Sequence, residues 1–501
     1  MVNYGKWCLA ICIIGWFTLP CTQAAVNTTT LNYMRRQAVR RVTQRAWQAY
    51  ITHARGFDEL RPVGCEGVDN FGGLRIMAID SLDTLWMMGL ENEFWEAVEL
   101  ARGVNFTQVD GDLSFFETGI RVLGGLISAY ELSQVQVLKD RAVEIGDVLL
   151  RAFDTPTGLP NSRVNPRRNQ ALGTDVVLAE VGTIQLEMAK LSQITGNPVY
   201  NEKAQEVITF INSLETYLPG LVPVFIDANT GEFRGDLVTF GALGDSYYEY
   251  LIKYAAMTRN TKGIHSQMYQ QAIDSMGLYM LTTAKNHPDD WYLPELHRDT
   301  IRPTMQHLTC FAPGMLALGS DILNRPADLG VAKQLLKSCI NFYQHTATGL
   351  GPEEIGFDPS DPTTDGTSKQ AFQSCTTKPL TKDQESWQRK HGYYVKSPSY
   401  ILRPETIESL LYLYRYTGNV SYQAMGWRFF ESIEHHTRTS VAYSSIHDVN
   451  ARSRSENLSD SMPSFFLAET LKYLYLLFSD KSVFSFRDYV FNTEAHPFKI
   501  M

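Results

Sequence analysis

Apolar positions recur along this chain at the three-to-four-residue spacing of helices that bury one face, and such stretches come in pairs. One pair runs into Gly196-Asn197-Pro198, resumes as a second amphipathic helix through Ile211, and leaves at Gly220-Leu221-Val222-Pro223. Another breaks at Gly418-Asn419 and resumes through His435, and weaker copies leave at Gly158-Leu159-Pro160 and Gly349-Leu350-Gly351-Pro352. Glycine after the first helix is what a left-handed C-terminal cap requires. The period of roughly 50 to 70 residues fits helical hairpins, and about six or seven of them would use the chain. A hairpin cannot bury its apolar face alone, so closure into one toroid is favoured over separate domains. The spacing also predicts a helix over 34–53 with basic residues on one face. Strand-like runs are scarce, with 222–226 one example. The polar stretch 357–392 and the shorter 450–461 read as surface loops.

With 501 residues, 44% hydrophobic and 20% charged, the chain has ample material for a large core. Its net charge of -9 and the lack of any Lys/Arg block exclude a phosphate-backbone partner, so no nucleic-acid role is expected. Residues 1–24 read as a signal peptide: Lys6, an apolar run over 7–20, then small residues ending at Ala24. The competing reading is a retained type II anchor. No later run is long enough to span a bilayer, so residues 25–501 are expected to form one secreted or lumenal domain without stable membrane insertion. Glycosylation sequons begin at Asn27, Asn105, Asn419 and Asn457. Beyond the signal the cysteines are Cys65, Cys310, Cys339 and Cys375, which permit three pairings, and no Cys-x-x-Cys zinc spacing is present.

Single carboxylates interrupt the apolar helices. Glu117 and Arg121 lie four apart in Ser114-Phe115-Phe116-Glu117-Thr118-Gly119-Ile120-Arg121, a spacing that also suits a plain salt bridge. Glu180 sits among apolar neighbours, and Asp245 stands where a helix N-cap is the more ordinary reading of an isolated aspartate. In Arg403-Pro404-Glu405-Thr406-Ile407-Glu408 two glutamates share one face of a first turn, where carboxylates complement the helix dipole. Glu469 follows Ser464-Phe465-Phe466, and Thr493-Glu494 lies in the final segment after an apolar run at 471–478. Each has an ordinary structural explanation. Together they would cost several kcal/mol apiece if buried unpaired, and a hard divalent cation with oxygen ligands offsets that cost. Thr493 offers a carbonyl and a hydroxyl oxygen, and these segments hold too few histidines for zinc. Two carboxyl groups across a pocket are also what glycosidic cleavage uses. Phe465, Tyr247 and Trp86 are aromatics that either stack on sugars or pack the core.

In this order, and with Asp80-Ser81-Leu82-Asp83-Thr84-Leu85-Trp86 ahead of them, these segments resemble glycoside hydrolase family 47, the class I α-1,2-mannosidases. The resemblance covers about residues 35–498. It implies an all-α (α/α)7 barrel plugged by a C-terminal β-hairpin, Ca2+ bound at Thr493, and an inverting exo-α-1,2-mannosidase acting on oligomannose N-glycans. By position Glu117 matches the general acid, Glu405 the general base and Asp245 a third essential carboxylate. Glu180, Glu408, Glu469 and Glu494 match the shell around cation and sugar, and Arg121, His307, Arg403 and Phe465 match substrate-binding positions. Cys310 and Cys339 match the family's disulfide; Cys65 and Cys375 are not covered. Leu243 stands where endoplasmic-reticulum members carry an arginine, which implies broader trimming of the Golgi or fungal secreted type. Pro463 replaces a common acidic residue. A monomer is expected. The alternatives are a lectin of the same fold that binds oligomannose without cleaving it, and another inverting α/α-barrel glycanase.

Overall fold

The computed structural model describes residues 28–109, 111–360, 373–374 and 379–501. The expectations for residues 1–24, Asn27 and Cys375 lie outside this range. The described chain forms an (α/α)7 barrel around one contiguous apolar core. Seven inner segments line the axis. They are Ile76–Asp80 with Leu82–Met87, Phe115–Glu117 continuing to Gly124–Ser133, Leu178–Val181 with Gln185–Thr195, Asp245–Met257, Ala312–Ile322, Glu405–Thr417, and Phe466–Thr470 with Leu471–Leu477. The first six are each followed by an outer helix: Glu91–Arg102, Gln136–Leu150, Val199–Ser213, Ile264–Ser275, Pro326–Gln344 and Ser421–His436. The seventh inner segment takes its outer partner from the other end of the chain, Thr28–His53.

The two layers differ as their sequences do. The outer helix Val199–Ser213 buries Tyr200, Ala204, Val207, Ile208 and Ile211 on one face, each large side chain contributing about 1.5–3 kcal/mol. The inner helix Asp245–Met257 is buried nearly all round, so its polar residues need partners or a cavity. The turns follow the sequence signals: Gly196 and Gly418 end their helices at φ 77° and 72°. The basic face of Thr28–His53 seals the ring. The Arg35 guanidinium lies 5.4 Å from the Trp427 ring, Arg40 Nε donates to the Met88 carbonyl at 2.8 Å, and Arg45 Nη2 to that of Ser440 at 2.7 Å. The Cys310–Cys339 disulfide ties an inner segment to the outer helix Pro326–Gln344. Cys65 is free among the described residues, and no helix of the described residues is long and apolar enough to cross a membrane.

Because each outer helix runs back, the inner helices start at the same end of the barrel. Short strands lead into several of them: Leu113–Ser114 ahead of Phe115, Asp175–Val177 ahead of Leu178, Thr304–Gln306 shortly before Leu308. At the opposite end a hairpin, Tyr489–Phe491 paired antiparallel with Pro497–Lys499, enters the axis with Phe491 opposite Pro497. Glycine lets it in. A Cβ on Gly125 would stand 2.8 Å from the Ile79 carbonyl and 3.2 Å from the His496 ring, and one on Gly124 would stand 2.7 Å from Asn492.

Three local expectations are corrected. The 357–392 stretch is not all loop: Lys382–His391 is helical with no buried residue, started by a capping box between Thr381 and Gln384. The strand expected at 222–226 is Phe225–Asp227. Asp245 is not an N-cap; Gly244 holds that place and Asp245 is the first helical residue.

Candidate active site

The starts of the inner helices surround a cavity of about 360 Å³. Glu117, Glu180, Asp245, Glu405, Glu408 and Glu469 all lie in the first turns of their segments. That turn is where main-chain N–H groups favour a carboxylate, each worth about 0.3–1 kcal/mol. All six line the cavity, together with Arg121, Leu243, Arg403, Phe465, Thr493 and Glu494. Two of the contributing segments, Thr118–Leu123 and Phe466–Thr470, are π-helical. The wider turns carry Arg121 and Glu469, at a place where such insertions often mark a site.

Glu405 is held for one protonation state. His307 Nδ1 lies 2.8 Å from Glu405 Oε2, and His307 Nε2 lies 2.7 Å from the Tyr343 hydroxyl. Arg403 Nη1 is 3.7 Å from Glu405 Oε1, and Arg403 Nε donates to Glu353 Oε2 at 2.8 Å. Burial pushes the Glu405 pKa up, but the His307 hydrogen bond and the Arg403 charge outweigh it and hold the carboxyl below its ordinary value. An ionised carboxylate only accepts, so His307 Nδ1–H donates to it.

Glu117 is placed differently. Its amide donates to the N-cap Ser114 hydroxyl at 3.2 Å, its Oε2 takes Arg121 Nε at 2.6 Å, and its side chain is 31% exposed to the cavity. Arg121 also pairs with Glu494 and donates to the Ser464 hydroxyl at 3.1 Å. Asp245 is half-buried in the cavity wall, with Glu249 and Glu405 nearby, and its pKa is pushed up to about 7, mainly by loss of solvent. Burial and Glu249 carry Glu408 to about 8 against the pull of Lys253. Glu469 and Glu494 rise well above the glutamate range, through burial and neighbouring acids. Glu180 rises through burial and the Glu117 charge.

The floor is the hairpin turn. Asn492 Oδ1 accepts from the amides of Glu494 at 2.9 Å and His496 at 2.8 Å, while its Nδ2 donates to Glu187 at 2.8 Å. His496 is wedged between Asp83 at 2.8 Å and Asp80 at 3.1 Å. The Thr493 amide reaches the Tyr250 hydroxyl at 3.3 Å, and Thr493 itself faces the cavity.

Sequence reasoning missed three groups. Glu249 lines the cavity, and its position one helical turn after Asp245 was the available signal. Glu353, which orients Arg403, comes from a strand-bordered loop with no such signal. The Asp80–His496–Asp83 set joins segments more than 400 residues apart. Some expected residues stand elsewhere. His307 is buried behind Glu405 and does not line the cavity. Tyr247 packs against Tyr248 in the core, and Trp86 packs on Phe94 away from the cavity, so of the three aromatics only Phe465 faces a ligand.

Eight carboxyl groups and two arginines line this space, an imbalance that a hard divalent cation with oxygen ligands would offset. Among the described residues no three His, Cys, Asp or Glu side chains converge closely enough to ligate an ion directly. Thr493 lines the floor of this space, and its carbonyl and hydroxyl oxygens are donors of the hard kind such an ion takes.

The sequence profile of glycosyl hydrolase family 47 matches residues 42–500. A mannosyl-oligosaccharide 1,2-α-mannosidase of Arabidopsis thaliana is 40% identical over 93% of this chain and 79% of its own length. The human mannosyl-oligosaccharide 1,2-α-mannosidase IC is 36% identical over 93% and 70%. The solved structure of an α-1,2-mannosidase from Trichoderma reesei superposes with a TM-score of 0.87 at 32% identity, covering 94% of this chain and 99% of that one.

Proposed function

The chain belongs to glycosyl hydrolase family 47, and from that premise we infer that it is an inverting exo-α-1,2-mannosidase trimming terminal mannose from oligomannose N-glycans. The observation that carries this reading is the unequal treatment of two carboxyl groups on one cavity. Glu405 is held ionised by His307 and Arg403, whereas Glu117 rests on Arg121 at the more open side.

In the proposed reaction Glu405 takes a proton from a water as that water forms the new bond to C1 of the terminal mannose. The C1–oxygen bond of the glycoside breaks on the opposite face, and Glu117 supplies, through a second water, the proton that the leaving oxygen needs. Attack from the far side inverts the anomeric centre and releases β-mannose. Asp245, poised near pH 7, serves as donor or acceptor to the sugar hydroxyls. Arg121 and Arg403 fix the carboxylates, and Phe465 offers an apolar face. Thr493 would hold Ca2+ through its two oxygens; bound there, Ca2+ supplies a fixed positive charge and coordination sites for the sugar hydroxyls. Leu243 faces the cavity in a left-handed conformation, φ 81°, and places an apolar side chain where an arginine would restrict the glycan branch. The disulfide fits an oxidising compartment, and we assign the protein to the secretory pathway, either secreted or lumenal.

The test is release of mannose from an oligomannose N-glycan, followed by NMR with and without chelator. Chelator-sensitive release of β-mannose, restored by Ca2+, is expected. Release of α-mannose overturns the roles of Glu117 and Glu405, and binding without release leaves a lectin.

A further inference from the structure

Among the described residues three lysines are buried, Lys190, Lys253 and Lys472; none takes part in this reaction, and the last two reach the C-terminal turn. Lys253, in the inner helix Asp245–Met257, is 1% exposed. It is paired with Glu249 and lies 3.6 Å from Glu408 Oε1, both of which line the cavity. Its Nζ also donates to the Asn492 carbonyl at 3.3 Å. Lys472, in the last inner helix, pairs with Asp83 at 2.8 Å and donates to the Ala495 carbonyl at 2.7 Å. The arrangement occurs twice at the turn: an ammonium joins a carboxylate of the barrel wall to a main-chain oxygen of the C-terminal turn; Lys190 repeats it on the hairpin strand, between Glu131 and the Lys499 carbonyl at 2.9 Å. The two oxygens at the turn flank Thr493 and Glu494.

Buried carbonyls need partners; the Asn492 carbonyl already accepts the Ala495 amide at 3.1 Å within the turn, so Lys253 is its second donor, the one that comes from the barrel wall. Apolar packing would hold such a turn in place without fixing how its carbonyls rotate. A directed donor fixes that rotation, and an ammonium is tolerated in the interior only with a carboxylate beside it. With its neighbours' oxygens engaged, the turn presents Thr493 to the cavity.

We propose that Lys253 and Lys472 are positioning residues that pin the C-terminal turn to the barrel wall and keep the oxygens of Thr493 aimed into the cavity. The consequence for the cation rests on the Ca2+ reading above; the pinning does not.

The test uses the full chain carrying Lys253→Met or Lys472→Met, with Leu149→Ala in an outer helix as a control that lowers stability away from the turn. Leu149 is fully buried. Hydrogen exchange of residues 489–500 is measured in chelator, and binding of Ca2+ alone by calorimetry. In both lysine variants exchange of 489–500 should rise at least tenfold relative to the outer helices, and Ca2+ affinity should fall by about tenfold or more. The control should lower the melting temperature without either change. Removing a positive charge would by itself tighten Ca2+ binding, so tighter binding with unchanged exchange means the lysines act as charges only and overturns the proposal. If a Met variant does not fold, Lys253→Met is combined with Glu249→Gln, which removes the donor together with the carboxylate paired to it, and control-like exchange in it also overturns the proposal. A wild-type protein that takes up no Ca2+ sinks the cation reading instead, and the exchange measurement still decides the pinning.

Discussion

At the scale of single residues, the carboxylates were legible because burial makes an unexplained charge conspicuous in an apolar helix, and Glu117, Asp245 and Glu405 meet on one cavity. Changing Glu117 or Glu405 to Gln should cut turnover at least about a hundredfold while leaving sugar binding within a few-fold, as expected for loss of a general acid or base. The family resemblance sets His307 among substrate-binding positions, but a match of position does not say which side of a carboxylate a ring occupies, and here the ring lies behind Glu405. From its place behind Glu405, His307→Ala should raise the Glu405 pKa, so the acid limb of the rate profile moves up by about one pH unit, about 1.4 kcal/mol. An unmoved limb would show that His307 does not set it. Asn457 shows another limit of sequence. Its sequon is intact, yet the side chain is 6% exposed, with Nδ2 donating to the Asp448 carbonyl and Oδ1 accepting the Asp448 amide, both at 2.8 Å. Asn105 and Asn419 are exposed. Glycopeptide mass spectrometry should therefore find glycan at Asn105 and Asn419 and an unmodified Asn457.

At the scale of elements, the hairpin pattern could be read directly, because glycines with positive φ end two of the inner helices, at Gly196 and Gly418, and an outer helix must bury one face. The helix Lys382–His391 escaped the same reading since it buries nothing; its capping box and terminal charges define it. The π turns were equally hidden, as one added residue per turn leaves the apolar pattern nearly intact. The close approach of the C-terminal hairpin to the second inner helix is testable. Gly125→Ala would press a methyl against the Ile79 carbonyl and the His496 ring, and should cost about 1–3 kcal/mol of stability in chemical denaturation. Wild-type stability would mean the hairpin is held less closely.

At the scale of the molecule, the acidic pocket couples stability to pH. Asp245 and Glu408 bind protons more tightly folded than unfolded, with folded pKa values of about 7 and about 8 against unfolded values of about 3.9 and 4.3. The folded state therefore carries more protons, and stability without a cation declines as pH rises from about 4 through about 8. His496, whose pKa the Asp83 and Asp80 carboxylates raise against burial, acts in the same direction: its contribution is complete at low pH and is lost as pH passes its folded value. The melting-temperature gap between Ca2+ and chelator should widen from pH 5 to pH 8, and an equal gap at both would show that these carboxyl groups do not feel the cation. The toroid itself was foreseeable from unpaired apolar faces. Its manner of closure was not, because no local pattern announces that Thr28–His53 will pack on Leu471–Leu477. That closure has a biosynthetic meaning. The first of these helices and the hairpin that carries Thr493 are roughly 450 residues apart in order of translation, about 20–90 s at 5–20 residues per second. By the end of that interval the nascent chain carries every acidic group of the pocket but Glu494, with neither the closed ring nor the floor in place. A truncated product would expose apolar seams and self-repelling acids at once, so a chain interrupted late in synthesis is as inactive, and as open to degradation, as one interrupted early.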